Sequence, residues 1–290
     1  MPATIDDILN SHRTGRAVVM GILNVTPDSF ADGGDFADQA TAAEHIKAMV
    51  AQGADIIDIG AESTRPGAGR ITPDEQIARL GSLVSIAAQT HTPVSIDTTS
   101  SEVAAFALDE GAAIINDVSA GRGDPGIFAL AAERKTPMVL MHMLGEPKSM
   151  QDNPQYDDVV TEVRDFLAWR IDQAAAAGVP HQRIIIDPGI GFGKLLEHNV
   201  ALLRGLPALL ELGRPVLIGA SRKRFIGELT GQDSPAERLG GSVAVVLATW
   251  TLGATIFRVH DVEPTVQALK VAGAIRPHPL GGMGSRTALQ

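Results

Sequence analysis

Four short apolar runs in this chain end in side chains that hold protons or accept hydrogen bonds: Asp58, Asp97, the pair Asn116-Asp117, and Asp187. Carboxylates and amides gathered at one apolar mouth suit a flat heterocycle with N–H donors and ring acceptors. They suit a general acid/base pair or a magnesium site equally well. Capping of the next helix explains any one of them alone, but it does not require all four. Two further runs end in cations. One closes as Gly219-Ala220-Ser221-Arg222-Lys223-Arg224 before a helix-like stretch, the other as Arg258-Val259-His260-Asp261. A helix N-terminus beside cations is a natural anion site. Alternation along a strand puts Arg258 and His260 on the same, inward side, where a solvated basic face does not account for them. Two other signals are weak. Gly189–Lys194 lacks the spacing of a phosphate loop, and His142 has no second histidine at a metal-binding distance, so it reads as structural.

These residues need elements to position them. Eight apolar runs occur: Ala17–Val25, Asp55–Gly60, Pro93–Thr98, Ile114–Val118, Pro137–Met143, Ile184–Ile190, Pro215–Ser221 and Ile256–Asp261. Helix-length segments near 39–52, 73–89, 101–111, 124–135, 155–178, 197–211, 235–253 and 262–274 follow them, several with start signals such as Thr72-Pro73 and Ser234-Pro235. Strands alternating with helices imply parallel βαβ units. Eight units in 290 residues fit one α/β domain, a single (β/α)8 TIM barrel whose chemistry sits at the strand C-termini. The expected organisation is a leading segment at 1–16 with one helical turn, the barrel, and an irregular tail at 277–290. The connections after strands 1 and 2 (Thr26 to Asp38, Ala61 to Thr72) exceed the ~2–6 residues usual for βα loops, which marks them as functional. The apolar stripe Val243, Val246, Leu247 and Trp250 reads as core.

Composition narrows the classes. Hydrophobic residues make up 44%, enough for a substantial core, and the net charge of −10 with no basic run argues against nucleic acid or an anionic membrane. The absence of cysteine removes disulfides, thiolate metal sites and cysteine nucleophiles. No apolar stretch nears the ~18 residues of a membrane span, and the N-terminus lacks a secretory pattern. The expectation is a cytoplasmic protein.

The ordered motifs resemble the dihydropteroate synthase family. They run from Gly21-Ile22-Leu23-Asn24-Val25-Thr26-Pro27-Asp28-Ser29-Phe30 and Asp58-Ile59-Gly60-Ala61-Glu62-Ser63-Thr64-Arg65-Pro66-Gly67 onward. Ser95-Ile96-Asp97-Thr98, Ile115-Asn116-Asp117, Met141-His142-Met143 and Asp187-Pro188-Gly189-Ile190-Gly191-Phe192-Gly193-Lys194 follow. Ser221-Arg222-Lys223 and Arg258-Val259-His260-Asp261 complete the set. The resemblance implies a transferase that joins a pterin methyl diphosphate to 4-aminobenzoate, with Mg2+ as cofactor and a homodimer as the assembly. It implies that Asp97, Asn116, Asp187 and Lys223 hold the pterin, with Met141 against its ring. Asn24, Thr64, Arg65, Arg258 and His260 would surround the diphosphate, Asn24 also holding the metal. Phe30, Thr64, Pro66, Phe192, Ser221 and Arg222 would form the aminobenzoate pocket, and Arg65, Lys223, Arg258, His260 and Asp97 would carry the catalysis. Many family members have serine where this chain has Arg224, which removes one side-chain contact to the aminobenzoate carboxylate unless Arg224 turns inward. A pterin-binding methyltransferase would need no diphosphate site. A non-catalytic paralogue would keep the pterin residues and lose the anion-site ones, which this chain retains.

Overall fold

The computed structural model describes residues 3–25, 34–63, 69–145 and 148–275, with side chains from residue 39 in the second of these segments. Phe30, Thr64, Arg65, Pro66 and the tail at 277–290 lie outside the described residues. Among the described residues eight strands form, all pairing in parallel: β1 (Val18–Asn24), β2 (Ile56–Gly60), β3 (Val94–Asp97), β4 (Ile114–Asp117), β5 (Met138–Met141), β6 (Ile184–Asp187), β7 (Leu217–Ile218) and β8 (Ile256–Val259). Their order is β6-β5-β4-β3-β2-β1-β8-β7, and a bridge from Ile186 to Val216 joins the two ends into a barrel. The strands are short and apolar almost throughout because the helices cover the outer face and packed side chains fill the inner one. Seven of the eight expected runs contain strands of four to seven residues; β7 has only two.

Side-chain parity sets the site. Met20, Ile56, Ile114, Val139, Ile185 and Ile256 form one inner cluster, with Ile8 and Leu9 of the leading segment packed against it. That segment closes the bottom of the barrel as two short helices, Ile5–Leu9 and Ser11–Thr14, the first begun by a Thr4–Asp7 capping box. Two residues beyond each of these inner positions on β2, β4, β5, β6 and β8 stand Asp58, Asn116, Met141, Asp187 and Arg258. A period of two brings all of them to the same inward face at the barrel top.

The helices differ from expectation where the backbone breaks. The 73–89 segment splits into Pro73–Leu80 and Leu83–Ala88 at Gly81 (φ 49°). The 197–211 segment splits into Leu196–Arg204 and Leu206–Leu210, because Gly205 leads into Pro207, which has no N–H to continue the ladder. A 3-10 turn, Pro235–Arg238, precedes Leu239–Leu252. In the apolar stripe, Val246 and Trp250 are core, while Leu247 lines a surface groove. Among the described residues, no helix is long and apolar enough to cross a membrane.

Candidate active site

One cation organises the upper layer of the barrel. Arg258 on β8 reaches over β1 to β2 and β3, its Nε donating to Asp58 Oδ2 at 2.6 Å and its Nη2 to Asp97 Oδ2 at 2.8 Å. Asp58 is fully buried and also accepts from Asn116 Nδ2, at 3.3 and 3.4 Å to its two oxygens. Burial works against the Arg258 charge, but Asp58 and Asp97 more than offset it and hold the guanidinium above the usual arginine range. Burial pushes the Asp97 carboxyl up to about 7, with Arg258 opposing and Asp58 adding to the rise. The Arg258 charge offsets part of the cost of burying two carboxyl groups side by side.

The opposite wall comes from β5, β6 and the segment after β7. Asp187 Oδ1 accepts the Gly189 N–H at 2.6 Å. Burial raises its pKa, with Lys223 opposing most strongly. Lys223 donates to the Ile190 carbonyl and lies 4.3 Å from the centroid of the Phe192 ring. Burial brings the Lys223 ammonium down to about 8, against the pull of Asp187. Met141 is buried in a small cluster with Val118, Met143 and Met150, against which Phe192 packs. Asp117, the remaining strand-end carboxylate, has opposite parity and serves the backbone. It accepts from Ser119 N–H and Oγ and from the Gly121 N–H, at 2.7, 2.6 and 2.5 Å.

Three acceptors in this ring retain an oxygen with no donor among the described residues: Asp97 Oδ1, Asn116 Oδ1 and Asp187 Oδ2. Acceptors on one side and the Lys223 amine on another match the donors and acceptors along the edge of a flat heterocycle. Asn24, two residues past Ile22 on the inward parity, is half-buried, and its carboxamide makes no hydrogen bond among the described residues. Ser221 Oγ lies 3.1 Å from His260 Nδ1 and accepts the His260 N–H at 3.2 Å. Arg222 has φ 61° and gives its side chain to Asp261, Nε to Oδ2 at 2.9 Å and Nη2 to Oδ1 at 2.5 Å. Its guanidinium is therefore tied to Asp261. Arg224 points outward, largely exposed and paired with Glu228 at 2.7 Å.

The structure thus brings together Asp97, Asn116, Met141, Asp187, Phe192, Lys223, Ser221, Arg258 and His260 at the end of the barrel where the strands finish. Sequence reasoning placed Asp58 among the strand-end acceptors, but the resemblance gave it no role, and its part in holding Arg258 was missed. Its parity with Arg258 across β1 is the signal that would have found it.

Residues 20–260 match the family model described as pterin binding enzyme. A dihydropteroate synthase of Synechocystis is 47% identical over 261 residues, 90% of this chain and 90% of that protein. A Xanthomonas albilineans dihydropteroate synthase with 4-aminobenzoic acid superimposes with a TM-score of 0.86 at 49% identity, covering 91% of this chain and 94% of the other. The dihydropteroate synthase of the same organism in complex with 7,8-dihydropteroate gives a TM-score of 0.83 at 44% identity, over 96% and 97% of the two chains.

Proposed function

Because the chain belongs to the dihydropteroate synthase family of pterin-binding enzymes, we propose that it condenses 6-hydroxymethyl-7,8-dihydropterin diphosphate with 4-aminobenzoate to give 7,8-dihydropteroate and diphosphate. The observation that carries this reading is the set of acceptors on Asp97, Asn116 and Asp187 without a donor among the described residues, opposite Lys223. A pterin presents an aminopyrimidine edge of N–H donors and a carbonyl and ring nitrogens that accept, the complement of that set. The relative that holds 7,8-dihydropteroate supports the same chemistry.

The reaction breaks the methylene C–O bond, and its electron pair leaves with the diphosphate. Electron release from the pterin stabilises the cation that develops at the methylene carbon. The arylamine nitrogen then forms the new C–N bond and sheds a proton to solvent. Arg258, with Arg65 of the second loop, provides positive charge and His260 a ring nitrogen that can donate where the leaving group gains negative charge, so their effect grows toward the transition state. Asp58 and Asp97 fix the Arg258 fork before substrate arrives, which spares reorganisation during the reaction. Ser221 holds the His260 ring by its Nδ1. Phe192 and Ser221 line the aminobenzoate side, with Phe30, Thr64 and Pro66 of the first two loops completing it; Arg222, paired with Asp261 through Nε and Nη2, shapes that side through its backbone. Asn24 fits Mg2+: its carboxamide oxygen is a hard ligand without a hydrogen-bond partner among the described residues, and magnesium takes most of its remaining ligands from water and substrate phosphates. Bound there, the ion would neutralise charge on the diphosphate.

The test is diphosphate release from the pterin diphosphate, measured with Mg2+ and with or without 4-aminobenzoate. Release coupled to dihydropteroate formation is expected. Folded protein that binds the pterin but releases no diphosphate would leave a binding paralogue instead.

The assembly we propose is a homodimer formed by the last two helices. Leu247, Pro264, Ala268, Val271, Ala272 and Ile275 line an apolar groove of about 500 Å3, with Val271 60% and Ile275 76% exposed. Contiguous apolar surface of this kind marks an interface, and a second copy presents the same face to it. Sedimentation equilibrium is expected to give a dimer for the wild type and a monomer for Val271→Glu/Ile275→Glu. A wild type that stays monomeric at micromolar concentration would rule out the assembly.

A further inference from the structure

The segment Gly189–Lys194 follows β6 and works through its carbonyls, each of which has a donor. Gly189 O accepts from the Phe192 N–H at 3.1 Å, Ile190 O from Lys223, Gly191 O from Gln151 at 2.6 Å, Phe192 O from Lys194 at 3.0 Å, Gly193 O from Tyr156 at 2.8 Å, and Lys194 O from Asn199 at 3.3 Å. Three glycines with positive φ, Gly189, Gly191 and Gly193, make the path possible. Gly189 has φ 66°, and a Cβ there would lie 1.9 Å from the His142 carbonyl oxygen; Gly191 has φ 81° with Lys223 Cδ 3.0 Å from its Cβ position. The loop is pressed against the β5 loop on one side and the Lys223 stem on the other.

Lys194 fastens the two loops. Its side chain is 3% exposed, and its Nζ reaches His142 Nδ1 at 2.9 Å, the His142 carbonyl at 3.4 Å and the Phe192 carbonyl at 3.0 Å. Those three acceptors match the three protons of an ammonium. Burial, with Lys194 and Arg122 adding to it, drives the His142 pKa down to about 2, so the ring is neutral and its Nδ1 can accept. The ring is wedged between Phe166, edge-on at 4.9 Å, and Tyr156 at 6.1 Å. Burial pulls the Lys194 pKa well below the ordinary lysine range, with Asp187 opposing and Lys223 adding to the fall, so an amine enclosed here with no direct ion pair is costly to keep. A methionine of similar volume would fill the space without that cost, unless the donated bonds serve the site.

Resting on the functional reading above, we propose that Lys194 is a positioning residue of the active site: it clasps the β5 and β6 loops so that the Ile190 carbonyl and the Phe192 ring stay on Lys223. The chain of contact is direct. Lys194 holds the Phe192 carbonyl, Phe192 carries the ring beneath the Lys223 ammonium, and the neighbouring Ile190 carbonyl accepts from the same ammonium. Releasing the clasp admits water around Lys223 and tilts the Phe192 wall of the aminobenzoate side.

Lys194→Met and His142→Leu are expected to raise KM for 4-aminobenzoate about tenfold, since small misplacements remote from the chemistry have effects of this order or larger. KM for the pterin diphosphate should change less, and the alkaline limb of kcat/KM should move up toward the ordinary lysine range. His142→Gln keeps an acceptor for Lys194 and should stay near wild type. Competitive acetylation of Lys223 across pH, read by mass spectrometry, follows the same titration without any turnover. A wild type with no synthase activity therefore defeats the functional reading, while the acetylation profile still decides the clasp. Folded Lys194→Met with unchanged KM and an unchanged Lys223 titration overturns the proposal. If Lys194→Met does not fold, equal behaviour of His142→Leu and His142→Gln overturns it.

Discussion

Arg258→Ala is expected to abolish most of the activity and to destabilise the barrel, through the same lost cation. Removing a preorganised group that stabilises developing charge lowers kcat/KM on the order of 10²–10³-fold. Stability should fall by about 3–5 kcal/mol, the cost of leaving a buried charge unpaired, because Asp58 and Asp97 both lose the partner they hold at 2.6 and 2.8 Å. The pH dependence separates the two effects. Asp97 titrates near 7 in the fold against 3.8 ordinarily, so the folded state binds more protons than the unfolded one between those values. Stability from this group is present at low pH and lost as pH rises through about 7. Without Arg258 the opposing charge disappears and the Asp97 pKa rises further. The thermal-melt gap between wild type and variant should therefore be larger at pH 8 than at pH 5. Arg258→Ala/Asp58→Asn, with one buried carboxylate removed, should regain much of the stability and none of the activity. A gap independent of pH, or recovered turnover in the double variant, would contradict this account of the triad.

The barrel was legible because its signals are local. Each strand is a short apolar run bounded by Gly, Pro or polar residues, and each is buried on both faces, so the pattern does not depend on which neighbour it meets. The breaks at Gly81 and Gly205 were less legible, since glycine in a helix-length segment is compatible with continuation. In the site, strand parity put Arg258 inward correctly. What parity cannot say is how far a side chain reaches, and the Arg258 fork spans from β8 across β1 to β2 and β3. That reach depends on barrel closure, a property of all eight strands. Arg222 is the converse case: its left-handed backbone turns the side chain to Asp261, whereas Lys223, the next residue, faces Asp187. Adjacent cations in one motif divide between structure and chemistry. The Lys194 clasp was hidden for a third reason, because His142 and Lys194 lie 52 residues apart and meet only when β5 and β6 pair.

Lys223→Met should reduce kcat/KM by a similar factor, and its pH profile tests the cause. In the wild type, burial holds the ammonium to about 8 against an ordinary 10.5, so the charged form is lost roughly two units earlier than in water. If the ammonium donates to the pterin, kcat/KM for the pterin diphosphate falls as pH rises through about 8, because that ratio reports the free enzyme. The limb in kcat should lie higher. Bound diphosphate adds negative charge beside the group and favours its protonated form, as Asp187 already does in part. Lys223→Met keeps the stem against Phe192 and Gly191 and removes only the titrating group, so its residual activity should show no limb near 8. Lys223→Arg keeps a charge that does not titrate in this range, and it should also lose the limb while retaining more activity than methionine. An alkaline limb that survives in both variants would assign the titration elsewhere, and Lys223 would then be a packing residue of the pterin wall with no role as donor.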